Sequence, residues 1–211
     1  MMITEILPVT KQKYRVVTDE QLAFILYKGE LSHYHLQAGR ELTEQEFRTI
    51  QEEVLIKRAK LRAMHLLTAR DYTELQLRNK LEQGEYTQEA VETAIEYVRS
   101  WHYLDDQRYM EQYLSGFSGN KSRRQREQEL QQKGISKEMI AAFRQKQEDI
   151  GETQDETEMI LELLRKRCRD PRSADEKEKR RHYAYLMRKR FDSGDIRRAW
   201  EQFFTTAYHI S

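Results

Sequence analysis

The chain has 211 residues, 38% hydrophobic and 35% charged, with a mean hydropathy of −0.95; it can bury a core only if that core is thin and spread along its length. Two Pro and eight Gly leave little room for loop-rich β architecture, and one cysteine, Cys168, excludes an intramolecular disulfide framework. Net charge is +1, no apolar run approaches the roughly 20 residues that span a bilayer, and no signal peptide opens the chain, so it reads as cytoplasmic with no membrane contact.

The first segment is the least helical. Tyr14-Arg15-Val16-Val17 and Leu22-Ala23-Phe24-Ile25-Leu26 are β-prone runs around a hairpin turn at Thr18-Asp19-Glu20-Gln21. A two-stranded hairpin is marginal alone, so it should pack on the helix that follows. Lys28 to Tyr34 suits a short helix that Ala38-Gly39 breaks. Thr43 and Glu46 form a capping box opening a helix with Phe47, Ile50, Val54 and Leu61 on one side. Residues 1–55 are thus a hairpin-plus-helix extension.

Beyond it the chain repeats. Leu81, Tyr86 and Val91 are five apart, as are Leu130, Ile135 and Ile140, and then Leu186, Phe191 and Ile196; Ala94, Phe143 and Ala199 follow each leading Leu by 13 residues. The copies lie 49 and 56 residues apart, a period that points to a stack of small helical units. In each, a helix ends near the Leu, a tight turn follows, and a new helix starts before the third apolar residue. Gly134 suits a left-handed turn position, Thr87 and Ser136 suit helix caps, and Arg190 stands where the second copy has Gly134, so the third turn should close differently. Repeat boundaries fall at 56–104, 105–155 and 156–211.

Within these repeats, Thr73-Glu74-Leu75-Gln76 is a capping box, and Asp105 or Asp106 should cap the helix after Trp101-His102-Tyr103-Leu104. The polar stretch from Gln145 to Glu156 is either helix or a loose connection. Ser173-Ala174-Asp175-Glu176 is a further capping box, and Trp200, Phe203 and Phe204 should seal the last repeat.

Charge is uneven. Residues 1–55 carry a balance of −3 and residues 159–198 a balance of +7. Ser118-Gly119-Asn120-Lys121-Ser122-Arg123-Arg124-Gln125-Arg126 holds the densest positive cluster of the first two repeats, and Lys177, Lys179, Arg180, Arg181, Arg188 and Lys189 form its counterpart in the third. A phosphate backbone or an acidic protein face suits such clusters, and so does plain solvation.

No phosphate-binding glycine loop, H-E-x-x-H or paired C-x-x-C occurs. His33 and His35 would point apart on a helix, giving no metal site. Cys168 among Arg165, Lys166, Arg167 and Arg169 would have a lowered thiol pKa if exposed, but no base accompanies it. The chain reads as a binding protein with no catalytic residues, cofactor, metal or small-molecule substrate.

Three motifs then carry a resemblance. Arg70-Asp71-Tyr72-Thr73 with Leu77-Arg78-Asn79-Lys80-Leu81, Tyr103-Leu104-Asp105-Asp106-Gln107-Arg108-Tyr109, and Glu129-Leu130-Gln131-Gln132-Lys133-Gly134-Ile135 resemble, in order and spacing, motifs of the RecX family of bacterial recombination regulators. The likeness covers about residues 57–200; Glu85 and Arg190 depart from the usual turns. It implies a mainly α fold of tandem three-helix repeats in an elongated, curved arrangement. It implies a protein of DNA repair, homologous recombination and the SOS response, which enters the groove of the RecA filament on single-stranded DNA. There it inhibits ATP hydrolysis, strand exchange and coprotease activity by blocking extension or promoting disassembly. On that reading Lys121, Arg123, Arg124, Arg126, Lys177, Lys179, Arg180, Arg181, Arg188 and Lys189 form the contact face. A helical protein whose primary ligand is DNA itself is the alternative, and a scaffold for an unrelated protein a third reading.

Overall fold

The computed structural model describes residues 1–115, 121–151, 155–168 and 170–205. The chain divides into two compact units, Met1–Asp106 and Gln107–Ser211.

The first unit opens with a three-stranded antiparallel meander, β1 (Ile3–Pro8), β2 (Lys13–Thr18) and β3 (Ala23–Tyr27). The expected hairpin is β2–β3, with Gln21 in the left-handed region of its turn (φ 60°). β1 is an addition the sequence reading lacked: it pairs along β2 from Ile3–Thr18 to Pro8–Tyr14, its proline at the end of an edge strand where no ladder donor is needed. Alternation puts Ile3, Val16, Phe24 and Leu26 fully inside. Helix α1 (Lys28–His33) is short and starts with the Glu30 side chain accepting from the Tyr27 amide at 2.7 Å.

Thr43 caps α2 (Glu44–Ile50) in the expected capping box. A π-helical turn, Gln51–Ile56, then joins α2 to α3 (Lys57–Ala69). A π turn adds a residue to the ladder and rotates the downstream helix by roughly 100°. The inward stripe therefore becomes Ile50, Leu55, Ala59 and Ala63, and Leu61, expected inside, is 66% exposed. Gln51 turns inward instead, its amide 2.7 Å from the hydroxyl of Thr87.

Helices α4 (Glu74–Glu82) and α5 (Gln88–Ser100) complete the first repeat, capped by Thr73 and Thr87. One core runs from Ile3 through Leu55, Leu77, Leu81 and Val91 to Leu104, so the extension and the first repeat share their interior.

The second unit holds most of α6 (Asp106–Ser115), then α7 (Arg123–Gln132), α8 (Lys137–Asp149), α9 (Thr157–Arg167), α10 (Glu176–Arg188) and α11 (Ser193–Trp200) with a closing π turn, Glu201–Thr205. The Gln145–Glu156 stretch begins as the end of α8; residues 152–154 lie outside the described residues, as do Ser118, Gly119 and Asn120 of the basic turn. Met110, Leu114, Leu130, Ile135 and Ile140 form one core, and Ile160, Leu164, Leu186, Phe191 and Ile196 another. α10 is capped by Asp175, whose carboxylate accepts from the Glu178 amide at 2.6 Å, rather than by Ser173, two residues earlier.

The three repeat turns share one backbone solution, so the different closure expected of the third turn does not occur: Arg190 takes the left-handed conformation itself. Glu85, Gly134 and Arg190, each four residues after its leading Leu, have φ of 57°, 98° and 61°. In the first copy the left-handed residue is therefore Glu85, not the preceding Gly84; a Cβ on Gly84 would come within 2.9 Å of the Tyr86 ring. Glu85 is held from outside the repeat, its carboxylate receiving the Arg15 guanidinium of β2 at 2.5 Å.

Candidate partner-binding surfaces

The first basic cluster is paired within the protein, with Arg126 buried and Lys121 and Arg124 still exposed. Arg126 is 5% exposed and donates to the Leu114 carbonyl at 2.7 Å, so it props the end of α6 and does not lie on a face. Arg123 reaches Glu127 at 3.2 Å, and Glu127, 9% exposed at its side chain, also receives Arg144 at 2.5 Å. Lys121 pairs with Glu129 at 2.8 Å. Glu129 takes the Tyr113 phenol as well; both donors hold its carboxyl low, while burial and this bond push the Tyr113 phenol up to about 12.

These contacts build a junction between the second and third repeats. The Arg123 amide, first in α7, donates to the Glu156 carboxylate at 2.6 Å, just before α9. The Ser122 hydroxyl donates to the Lys189 carbonyl at 2.6 Å, and Arg124 meets Asp192 at 2.8 Å. The first unit repeats the device: the Glu74 amide, first in α4, donates to Asp106 at 2.8 Å. Asp106 thus caps the preceding repeat's helix. Burial, the largest cause, raises the carboxyls of both Asp106 and Glu156 above their ordinary values.

The second cluster is different. Lys177, Arg180, Arg181 and Arg188 fall on one side of α10 and line a shallow depression of about 550 Å³ with Ala184 and the single carboxylate of Glu176, while His182 and Leu186 are buried on the other side. All four are exposed, and none has a carboxylate partner among the described residues. Lys179 is set apart, pairing with Glu176 at 3.3 Å and lying over the Phe204 ring. Lys189 sits over Tyr185. The structure therefore brings four of the ten expected residues into one open stripe and ties the first cluster into local contacts, burying Arg126 while Lys121 and Arg124 stay exposed in their ion pairs.

A second basic surface was missed by the sequence reading. In the first unit a groove of about 620 Å³ lies between β3, α3 and the Gly84 turn, with Lys13, Arg62, His65 and Lys80 around Tyr27 and Leu61. Its signal was the Lys57-Arg58-Ala59-Lys60-Leu61-Arg62 run, of which Arg58, Leu61 and Arg62 line the groove. Arg58 there is already used, by Glu30 and the Ile25 carbonyl.

Cys168 is 3% exposed, and burial, then Glu178, push its thiol above the ordinary value. The lowered pKa expected from its neighbours does not arise, because those side chains turn outward: Arg165 to Glu158, Lys166 to Glu162, and Arg167 over Tyr185. Arg169 lies outside the described residues. The aromatic end is packed, with Trp200 and Phe203 on either side of buried Phe204 at ring distances of 4.4 and 5.0 Å. No helix among the described residues is long and apolar enough to cross a membrane.

Three family models match the chain, the first, second and third three-helix domains of RecX, at residues 59–97, 105–142 and 154–200. The regulatory protein RecX of Trichlorobacter lovleyi is 34% identical over 146 residues, 67% of this chain and 93% of its own. That of Caldanaerobacter subterraneus subsp. tengcongensis is 27% identical over 201 residues, 94% of this chain and 98% of its own. That of Listeria monocytogenes is 23% identical over 158 residues, 74% of this chain but 59% of its own. Among solved structures, a crystal structure of regulatory protein RecX superposes with a TM-score of 0.60 at 23% identity, covering 95% of this chain and 98% of that one. RecX from Lactobacillus salivarius superposes with a TM-score of 0.57 at 16% identity, covering 70% and 96%. At those identities the structures speak to the fold alone.

Proposed function

The chain belongs to the RecX family of regulatory proteins, and from that premise we propose that it is a negative regulator of RecA that binds the RecA filament on single-stranded DNA and inhibits its activities. The observation that carries the contact face is the α10 stripe. Lys177, Arg180, Arg181 and Arg188 form no ion pair among the described residues and outnumber the one carboxylate beside them, Glu176, which already pairs with Lys179; that surplus of positive charge on one helix side favours an acidic or phosphate-bearing partner. Ser122 and Arg124 hold the turn that follows α10, through the Lys189 carbonyl and Asp192.

DNA-dependent ATP hydrolysis by the cognate RecA, titrated with this protein, is the direct test. Inhibition well below one protein per RecA protomer is expected for a filament regulator. Reversing Lys177, Arg180 and Arg181 to Glu should weaken inhibition at unchanged helicity; inhibition surviving that reversal removes α10 from the contact.

A second reading, DNA as the primary ligand, is favoured by the same four cations at helical spacing. It predicts binding without RecA and inhibition only once enough protein is present to coat the DNA.

A further inference from the structure

α9 ends at Arg167, and the Cys168 amide closes it by donating to the Leu164 carbonyl at 2.7 Å. Across from it, Glu178 and His182 stand four residues apart on one face of α10. The Cys168 sulfur, a Glu178 oxygen and a His182 ring nitrogen all lie within 4.8 Å of one another. His182 is the telling member. Its side chain is 8% exposed, and its Nε2 is buried with no hydrogen-bond partner, the Glu178 carboxylate being 3.5 Å away. A buried ring nitrogen left without a partner is costly, and the native structures of proteins seldom keep one without a use.

We propose that Cys168, Glu178 and His182 form a binding site for a divalent cation of the zinc class. Sulfur, imidazole nitrogen and one carboxylate select a borderline-soft ion, whereas magnesium and calcium take all-oxygen sets. With metal–ligand bonds of about 2.0–2.3 Å, tetrahedral ligand atoms sit about 3.3–3.8 Å apart, so this trio needs to close by only roughly 1 Å. A thiolate and a carboxylate would balance the ion's charge, which suits burial beside Ala174 and Phe204. Water takes the fourth position. Bound there, the ion ties the segment after α9 to α10, the helix that carries the open basic stripe, and so couples the order of that stripe to metal supply.

Cobalt(II) is the probe, added anaerobically to the full chain. One equivalent should give a thiolate-to-cobalt charge-transfer band that zinc displaces one for one and that Cys168→Ser abolishes. Glu178→Gln, at a half-exposed position that leaves folding intact, and His182→Gln should each weaken binding by about 10–100-fold or more. Zinc should raise the melting temperature of the wild-type chain more than that of Glu178→Gln. Absence of the band in the wild-type protein, or a band that Glu178→Gln leaves unchanged, overturns the site. In that case Cys168 is an inert core thiol, and cobalt bound without the band belongs to exposed imidazoles such as His33 and His35.

Discussion

Single residues set the repeat turns, and two of them do so against their own preference. Arg190 and Glu85 occupy the left-handed region that an L side chain enters at a cost of about 1–2 kcal/mol. Arg190→Gly should therefore stabilise the second unit by about 0.5–1 kcal/mol, after the extra entropy glycine gives the unfolded chain; urea denaturation reads it. Glu85→Gly should gain less, because it also removes the Arg15 contact that anchors this turn to β2. Equal gains at the two sites would deny that anchor any role.

Asp106 offers a titratable test at the same scale. Burial raises its carboxyl in the folded state, so the folded chain holds the proton more tightly than the unfolded one, and stability from this group falls as pH rises through the window above the ordinary carboxylate value. Asp106→Asn keeps an oxygen for the Glu74 amide and removes the charge. Its stability relative to wild type should be greatest at neutral pH and shrink as pH falls below that window. Asp106→Ala should cost about 1 kcal/mol through the lost cap. A stability difference between Asn and wild type that is flat with pH would refute the burial argument.

Elements show what a sequence carries and what it withholds. The five-residue steps through Leu130, Ile135 and Ile140 were legible because one apolar residue ends a helix, the next fills the turn and the third starts the new helix, so spacing alone encodes the turn. The fate of Leu61 was not, since the π turn is a shift in backbone hydrogen bonding that side-chain periodicity does not record. Of the candidate face, the α10 stripe was readable from helical spacing. The loss of Arg124 to Asp192 was not, because that partner lies 68 residues away, nor was the burial of Arg126. The stripe itself predicts a slope. If four cations meet single-stranded phosphates, log affinity against log salt should run near −3, and Lys177→Glu with Arg181→Glu should flatten it by about half. A slope indifferent to those changes assigns any DNA contact elsewhere, with the groove at Arg62 and Lys80 next in line.

At the scale of the whole molecule, the two units carry separate cores and one tryptophan each, Trp101 and Trp200. Leu81→Ala, at a fully buried position, should cost about 2–5 kcal/mol in the first unit, and Leu186→Ala as much in the second. With single-tryptophan variants, each truncation should lower the denaturation midpoint reported by its own unit more than the other; coincident shifts would mean that the chain unfolds as one cooperative body.

The junction carboxylates add a direction to this chain. The opening amide of α4 waits for Asp106, 32 residues later, and that of α7 for Glu156, 33 residues later. The opening amide of the second helix in each of the first two repeats is thus satisfied by a carboxylate at the start of the next repeat's first helix, so during synthesis that helix end should stay open until the ribosome has delivered the carboxylate. Folding during synthesis should then advance from the amino terminus in steps, each junction carboxylate acting as a latch on the second helix of the repeat before it.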